Sequence, residues 1–308
     1  MTTGRRGAAL LLVVTVIGLL AFLTAEFQRR SHLEAVLATN MMQSLQAQAL
    51  ARSGLAAAIA MLKEDASGST GGPKTDSRND VWAGPGGESP NVVPVGDYVI
   101  SVLIEDATGK FPVNSLIDAQ GKAIPAKVDA FERLLAQLNL TDADPAALAD
   151  ALTDWIDDDS SNDRFEYNAR YTVPNKPMEH LSELSRIEGF DKISPEEMKK
   201  LTRYLDTRTN PQINANTATV PVLMVLHPNF RYDDAVKLHD ELTAAPDTNG
   251  ALVNKYVPSP PLFPIVYASD RFKVEISTDV MGVLRRAECV VNRAGAQGRI
   301  AVEGWTQY

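Results

Sequence analysis

The sequence predicts an α+β fold in which a long N-terminal helix carries a small antiparallel sheet and a helical block interrupts that sheet. Three observations predict it. An uncharged apolar run opens the chain and continues as a helical pattern. One β-rich segment stands near residue 100, and the others lie beyond residue 270. Helical patterns fill the interval, and because a lone strand needs partners, one interrupted sheet explains this order better than two tandem domains.

The apolar run covers residues 8–25 and carries no charge. It is just long enough to cross about 30 Å of hydrocarbon as a helix. Arg5 and Arg6 precede it, which favours a cytoplasmic N-terminus and a single pass through the membrane. A cleaved secretory signal peptide is the main alternative, but the sequence Thr24-Ala25-Glu26 is a poor cleavage site.

Apolar residues continue at helical spacing after this run, and no proline occurs before Pro73. We therefore expect one helix from residue 8 to about residue 64, which is roughly 85 Å long at the helical rise per residue. Such a helix extends well beyond the membrane, with residues 8–25 inside it and residues 26–64 outside.

The later elements follow from composition and periodicity. Gly and Pro accumulate over residues 68–94, which predicts a long loop. Alternating β-branched residues predict strands at 98–105, 271–277, 283–292 and 299–305. Helical spacing and start signals predict helices at 128–140, 145–156, 180–189, 195–205, 220–226 and 233–242, before a Pro-rich exit at 246–264.

Composition excludes several classes of function. The chain has 308 residues and a net charge of −9, which argues against nucleic acid as a partner because affinity for phosphates comes from Lys and Arg. The single cysteine, Cys289, cannot form an intrachain disulfide or a cysteine-based metal site. A turn at Glu188-Gly189 resembles helix-hairpin-helix segments, but its acidic neighbours would repel phosphate, so we take this likeness as one of fold only.

The N-terminus resembles a type IV prepilin signal. Arg5-Arg6-Gly7 stands directly before the apolar run, so cleavage after Gly7 would make Ala8 the first mature residue. An uncleaved signal anchor is the alternative. Pilins usually have Glu as the fifth mature residue, whereas this chain has Leu12 there. A carboxylate inside a bilayer is kept only for a partner, which in pilin assembly is a neighbour's N-terminal amine, so a subunit without it has nothing to hold above it.

Four internal blocks extend the resemblance over most of the chain. They are the stretch from Asp106 to Asn114, Asp154-Trp155-Ile156-Asp157-Asp158-Asp159 with Glu166 and Tyr171 downstream, residues 175–189, and Asn214-Ala215-Asn216-Thr217-Ala218. In this order, and with the missing Glu, they resemble the K-type minor pseudopilins of type II secretion, the GspK family. The resemblance implies a pilin-like fold interrupted by a large all-helical insertion.

The acidic residues from Asp142 to Glu166 stand against a single cation, Arg164. Such crowding repels itself unless it is solvated or bound to a metal, and carboxylates on a loop suit Ca²⁺. EF-hand spacing fails here, and a solvated acidic loop is the alternative from the residues alone. The family resemblance implies calcium in this region, with ligands Asp157, Asp159, Asp163 and Glu166.

No catalytic pattern stands out in the sequence. The four histidines are scattered, and neither a Gly-x-Ser-x-Gly elbow nor a phosphate-binding Gly loop occurs. We therefore expect no enzymatic activity. A signal-anchored periplasmic enzyme would need a convergent catalytic group, and a minor pilin of a type IV pilus or competence system would lack the large insertion.

The resemblance also implies a function and a division of the chain. Residues 1–7 are a prepilin leader, residues 65–112 and 262–308 form the pilin-like sheet region with its long loop, and residues 113–261 form the inserted domain. A prepilin peptidase would cut after Gly7 and methylate Ala8. The apolar helix would cross the inner membrane once, and the head would lie in the periplasm at the pseudopilus tip. I-type and J-type minor pseudopilins would be its partners, with secreted substrates or the outer-membrane secretin nearby.

Overall fold

The computed structural model describes residues 3–67, 75–87, 89–141, 143–158, 173–295 and 299–308. Helix α1 spans Thr3–Ser67 without interruption. It starts a few residues before the predicted helix and ends close to the predicted end. No proline stands in it, so nothing in the backbone forces a kink.

The other regular elements follow in chain order: β1 (Asn91–Val95), β2 (Tyr98–Asp106), β3 (Phe111–Pro112), α2 (Pro125–Leu138), α3 (Pro145–Ile156), α4 (Pro195–Thr202), β4 (Leu205–Asp206), β5 (Ile213–Asn214), α5 (Val220–Met224), α6 (Tyr232–Ala244), α7 (Ala251–Tyr256), β6 (Ile265–Val266), β7 (Arg271–Val280), β8 (Val283–Gly295) and β9 (Arg299–Gln307).

The main sheet is antiparallel and has the order β1-β2-β7-β8-β9. Strand β2 pairs with β7, with Ile104 opposite Val274, although the whole helical block separates them in sequence. The α+β fold with an interrupted sheet is therefore confirmed. Side chains alternate along β2 and β7, so that one face of the sheet is buried and the other is partly exposed.

The upper part of α1 covers the buried face of the sheet. Ala51, Ala58 and Leu62 are fully buried there against residues such as Ile100 and Ile276. Gly54 lies at the closest approach, since a Cβ on it would stand 2.8 Å from Cγ2 of Ile276 and 2.9 Å from Cγ2 of Ile100. A larger residue at Gly54 would therefore separate the helix from the sheet.

Strand β1 corrects the prediction of a loop over residues 68–94. Asn91–Val95 pairs with β2, with Pro94 opposite Val99. The proline and the surrounding glycines concealed the strand in the sequence. Proline is tolerated because β1 is at the edge of the sheet, where a missing N–H donor leaves no partner unsatisfied.

The helical block has a second, larger core. Phe111 stacks on Phe131 with 5.2 Å between ring centroids and meets Phe263 edge-on at 5.6 Å. Phe111 and Phe263, which the sequence places with the sheet region, are thus part of this core. Short parallel pairs, β3 with β4 and β5 with β6, join each end of the block to a strand in its interior.

Two further segments differ from the predicted helices. The region 180–189 forms 3₁₀ turns, Leu181–Arg186 and Phe190–Lys192, instead of an α-helix. Gly189, at φ +86°, separates the two turns. Within the Pro-rich stretch 246–264, the short helix α7 forms because the Asp247 carboxylate accepts hydrogen bonds from four backbone N–H groups at its start.

Candidate functional site

The lower half of α1, defined here as residues 10–46, contains no buried residue. Its first part is a candidate membrane span, with a mean hydropathy of 2.4 in the most apolar window and none of that window buried. Thr15 and Thr24 donate their hydroxyl hydrogens to the carbonyls of Leu11 and Leu20 in the same helix. Polar groups are thus satisfied internally, as a lipid environment requires. The segment fits a single-pass anchor.

Charged residues follow directly where the apolar run ends. Glu26 forms ion pairs with Arg29 at 2.9 Å and with Arg30 at 2.8 Å. Glu26 is the first acidic residue of the chain. Leu12, which stands where pilins usually carry an acid, is 64% exposed. The described part of the span therefore offers no carboxylate to a neighbouring subunit.

Gly7 and Ala8 lie within the regular backbone of α1, close to its start. Leu12 follows one turn later on the same helix. The processing position and the register position predicted from the sequence are thus both part of the anchor helix.

Above the span, an apolar stripe runs along the lower half of α1. Leu33, Leu37, Met41 and Leu45 recur every four residues and are between 48% and 67% exposed. Residues four apart lie on one face of a helix. All four side chains are exposed, and we call this row the apolar stripe below.

The acidic segment is described only up to residue 158. Asp157 is buried at the C-terminal end of α3, where its backbone N–H bonds the carbonyl of Thr153 at 2.9 Å. Asp159, Asp163 and Glu166 lie outside the described residues. Of the four predicted calcium ligands, the structure therefore places only Asp157.

The turn at Gly121 supports the start of the acidic segment. The Asp158 N–H donates to the Gly121 carbonyl at 3.0 Å. Gly121 has φ +75°, and a Cβ on it would come within 2.5 Å of the Asp158 Cβ. Asp158 and Asp118 line one cavity of about 790 Å³. Oxygen-bearing side chains thus flank the segment in which calcium is predicted.

A second group of polar residues joins the inserted domain to the sheet. Asp106, at the end of β2, accepts hydrogen bonds from Asn214 (3.0 Å), Thr217 (2.5 Å) and Ser269 (2.6 Å). The backbone N–H of Ser269 donates to Asp76 at 2.6 Å. We call these five residues the polar joint. Two blocks found in the sequence, one beginning at Asp106 and one at Asn214, therefore meet in space as a structural clamp.

Burial raises the pKa of the Asp106 carboxyl, and the hydrogen bonds from Ser269 and Thr217 oppose that rise. The Arg208 guanidinium lies nearby and donates to the carbonyls of Thr108 (3.2 Å) and Lys110 (2.7 Å), which fixes the turn after β2. An unpaired charge at this depth would be costly. Loss of one hydrogen-bond partner would therefore destabilise the whole polar joint.

A carboxylate cluster extends the joint to the end of α1. Asp65, Asp76 and Asp80 have carboxylate oxygens within 4.8 Å of one another. Arg293 of β8 donates to Asp65 at 2.7 Å and also to Asp76, and its guanidinium lies 4.7 Å from the Phe272 ring centroid. Because these residues are far apart in sequence and form no motif, sequence reasoning missed them.

The remaining motif asparagines also have structural partners. The side chain of Asn114 binds the backbone N–H of Met178 at 2.7 Å and the carbonyls of Met178 and Thr207. Asn216 exchanges two hydrogen bonds with the backbone of Asp247, at 2.8 and 2.9 Å. These asparagines hold segments of the inserted domain together.

The four histidines stand on separate parts of the structure. His32 lies on α1, His180 precedes a 3₁₀ turn, His227 lies before α6, and His239 lies on α6 beside Arg78. His227 accepts a hydrogen bond from the N–H of Asn229 through Nδ1. Among the described residues they do not converge on a common pocket.

Comparisons with known proteins point in one direction. The family model described as Type II secretion system (T2SS), protein K matches residues 109–207. The type II secretion system protein K of Pseudomonas aeruginosa is 30% identical over an alignment of 241 residues, which covers 73% of this chain and 69% of that protein. The protein of the same name from Klebsiella pneumoniae is 28% identical over 228 residues, with 70% and 68% covered.

A solved structure has a similar fold. It is a chain of the crystal structure of the GspK-GspI-GspJ complex from the type 2 secretion system of enterotoxigenic Escherichia coli. The TM-score is 0.66 at 20% sequence identity, and the match covers 88% of this chain and 99% of that one. At this identity the match supports the fold, whereas the family follows from the sequence relatives.

Proposed function

The chain belongs to the type II secretion system protein K family, and we propose that it acts at the tip of the periplasmic pseudopilus, where it caps the filament and helps to start or limit its assembly. Protein K is a minor pseudopilin, a structural component of the secretion machine. The observation that carries the proposal is the lower half of α1. It is long, apolar and unpacked, yet it lacks the acidic residue that another subunit would need.

Filament assembly requires a surface that this chain does not cover by itself. A soluble protein rarely exposes an apolar surface as extended as residues 10–25, so we assign the membrane as the environment of this run. The apolar stripe follows a charged stretch at residues 26–30, and we assign neighbouring helices to it. The GspK-GspI-GspJ complex supports I-type and J-type minor pseudopilins as those neighbours. Their helices would pack along α1.

The tip position rests on Leu12. In the proposed mechanism, a subunit above would present its N-terminal amine to a carboxylate at this position. Leu12 has no charge to offer, and Glu26 lies more than three turns away with Arg29 and Arg30 already paired to it. The inserted domain adds bulk to the same head, so steric hindrance would act with the missing charge to end the filament.

Processing and location complete the proposal. A prepilin peptidase would cut after Gly7, and methylation would follow at Ala8. The basic N-terminus would stay in the cytoplasm and the folded head would lie in the periplasm, anchored by residues 8–25. At the tip, the head would be the part of the filament nearest to secreted substrates and to the outer-membrane secretin.

We assign a structural Ca²⁺ to the acidic segment after α3, with Asp157, Asp159, Asp163 and Glu166 as ligands. Hard oxygen ligands on a loop suit this ion. Asp118 and Asp158 beside the segment support it, because a cation would offset their charges as well. Thermal unfolding with calcium and with a chelator tests the assignment. We expect a lower melting temperature in chelator, and an unchanged one would contradict it.

The mature N-terminus tests the processing step. Mass spectrometry of the protein from cells with the peptidase should find Ala8, methylated, as the first residue. Gly7→Val should block cleavage, whereas Gly4→Val serves as the matched control and should be processed. A mature protein that starts at Met1, or near Glu26, would rule out the pilin pathway.

The tip position is tested by moving a carboxylate. Leu12→Glu should allow the protein to occur along the body of the filament in cysteine cross-linking, because it restores a partner for an incoming amine. Val16→Glu places the same charge one turn further and should not. Membrane fractions of both variants control for insertion. If Leu12→Glu remains confined to the tip, the charge explanation is wrong and the bulk of the head alone ends growth.

A further inference from the structure

The carboxylate cluster has more negative charge than its surroundings neutralise. Asp65 comes from the last turns of α1, and Asp76 and Asp80 come from the loop before β1. Asp76 is fully buried and Arg293 is almost so. One guanidinium therefore faces three carboxylates whose oxygens lie within 4.8 Å of one another. Like charges at such distances repel strongly in a low-dielectric interior.

Three charged residues in the described part of the chain lie around the cluster. Asp106 of the polar joint adds negative charge next to Asp76. Arg208 binds carbonyls of the turn after β2, and its charge interacts with that of Asp106. Arg78, on the same loop as Asp80, donates to the Thr217 carbonyl and to His239 of α6. Protonation of a carboxyl is one means of lowering the negative charge of the cluster.

The cluster also holds three parts of the fold together. Arg293 links β8 to Asp65 of α1 and to Asp76 of the loop. Asp76 accepts from Ser269, which in turn donates to Asp106 beside the inserted domain. Whatever changes the charge of the cluster therefore acts on the contact between the anchor helix, the sheet and the inserted domain.

We propose that the carboxylate cluster is a pH-sensitive junction that fastens the end of α1 to the sheet and the inserted domain in mildly acidic surroundings and loosens as the pH rises toward neutral. Protonation of one carboxyl removes a like charge while leaving Arg293 paired with another. Loss of that proton restores the repulsion across the joint. The rigidity of the head would then depend on the pH outside the cytoplasm.

The titration of the cluster agrees with this geometry. Burial, followed by the charges of Asp76 and Asp80, raises the pKa of Asp65 to about 6 against the hydrogen bond from Arg293. Burial also raises the pKa of Asp80. An acid with a raised pKa in the folded state contributes stability below its unfolded pKa of 3.8, and this contribution is lost as the pH rises through about 6.

The test uses the full chain in detergent and compares melting temperatures near pH 5 and near pH 7.5. Asp65→Asn replaces the carboxyl by an amide that imitates its protonated form. We expect the wild type to lose about 2 to 4 °C more than this variant across the interval. Asp97→Asn, at the exposed turn between β1 and β2, is the matched control and should behave like the wild type. Equal pH dependence in the wild type and Asp65→Asn would overturn the proposal.

A second measurement decides the case if Asp65→Asn fails to fold. Hydrogen exchange of the wild type, corrected for the intrinsic effect of pH, reports local opening. The backbone N–H of Asp76 bonds the Tyr267 carbonyl, and the backbone N–H of Ser269 bonds the Asp76 carboxylate. Both amides should open about fivefold more often near pH 7.5 than near pH 5. Amides of α2 should not change. A uniform change, or none at the joint, would also overturn the proposal.

Discussion

The two halves of α1 have similar helical backbones but opposite surroundings. In the upper half, Ala47, Ala51 and Leu62 are fully buried against the sheet. In the lower half, Leu37 and Met41 are about two-thirds exposed. Neither half is distinguished by its local helix signal, since both are rich in Ala, Leu and Met. The difference lies in what covers them: this chain's own fold buries residues of the upper half, whereas the lower half contacts the turn and strand after β7 through Gln43 and Ser44 without being buried.

This contrast explains how one helix serves two tasks. The small residues of the upper half, Ala51, Gly54 and Ala58, let the sheet approach closely. The larger side chains of the lower half keep apolar surface available for lipid and for other helices. Substitutions should therefore affect stability in the upper half and association in the lower half.

The largest effect should come from Leu62→Ala. Leu62 is fully buried in the core between α1 and the sheet, so the substitution leaves a cavity and should cost about 2 to 5 kcal/mol of unfolding free energy. Leu37→Ala makes the same chemical change at a site that is 67% exposed and should leave the melting temperature of the head nearly unchanged. Thermal unfolding in detergent measures both. Equal losses would show that the lower half is packed in solution, contrary to the comparison.

A smaller effect should come from glycines in the two halves. Gly54→Val would place side-chain atoms where Ile276 and Ile100 already stand, and overpacking should cost about 1 to 3 kcal/mol. Gly18→Val meets no atom within 4 Å and should not change the unfolding of the head. The same unfolding experiment checks the pair. A stable Gly54→Val would mean that the helix moves away from the sheet at little cost.

The sequence predicted those elements whose signal is local. Apolar length identified the anchor part of α1, and alternation identified β2 and β7 to β9. The edge strand β1 was missed because Pro94 and the glycines around it imitate a loop. The 3₁₀ turns of residues 181–192 have helical spacing but contain Gly189, whose positive φ only the backbone reveals.

Among the candidate site residues, too, the sequence could predict some, while others depend on the fold. Leu12 and Gly7 follow from their distance to the apolar run and need no tertiary information. Asp106 and Asn214 stood out as motif residues, yet their meeting in the polar joint depends on the fold. Asp65 and Arg293 belong to no motif, because their charges are brought together only when α1 packs on β8. Long-range electrostatics of this kind is not encoded in local spacing.

The smallest effect should be that of Leu37→Ala on assembly, which rests on the proposed role of the lower half. Partly covering this side chain with a neighbour's helix would remove apolar area from water worth about 1 kcal/mol. Association with the I-type and J-type partners should therefore weaken about fivefold, although the head stays as stable as before. Glu34→Ala, a change at another exposed position of the same segment, is the control and should have less effect.

Titration of the detergent-solubilised partners against the two variants measures this difference. If Leu37→Ala associates more weakly while its melting temperature is unchanged, the lower half of α1 serves association and the upper half serves stability. The difference in function would then match the difference in packing. If Leu37→Ala and Glu34→Ala associate equally well, the apolar stripe is not the face that meets other helices. The exposed leucines would then contact lipid only. The two halves would differ only in that lipid covers the lower half and the sheet covers the upper half.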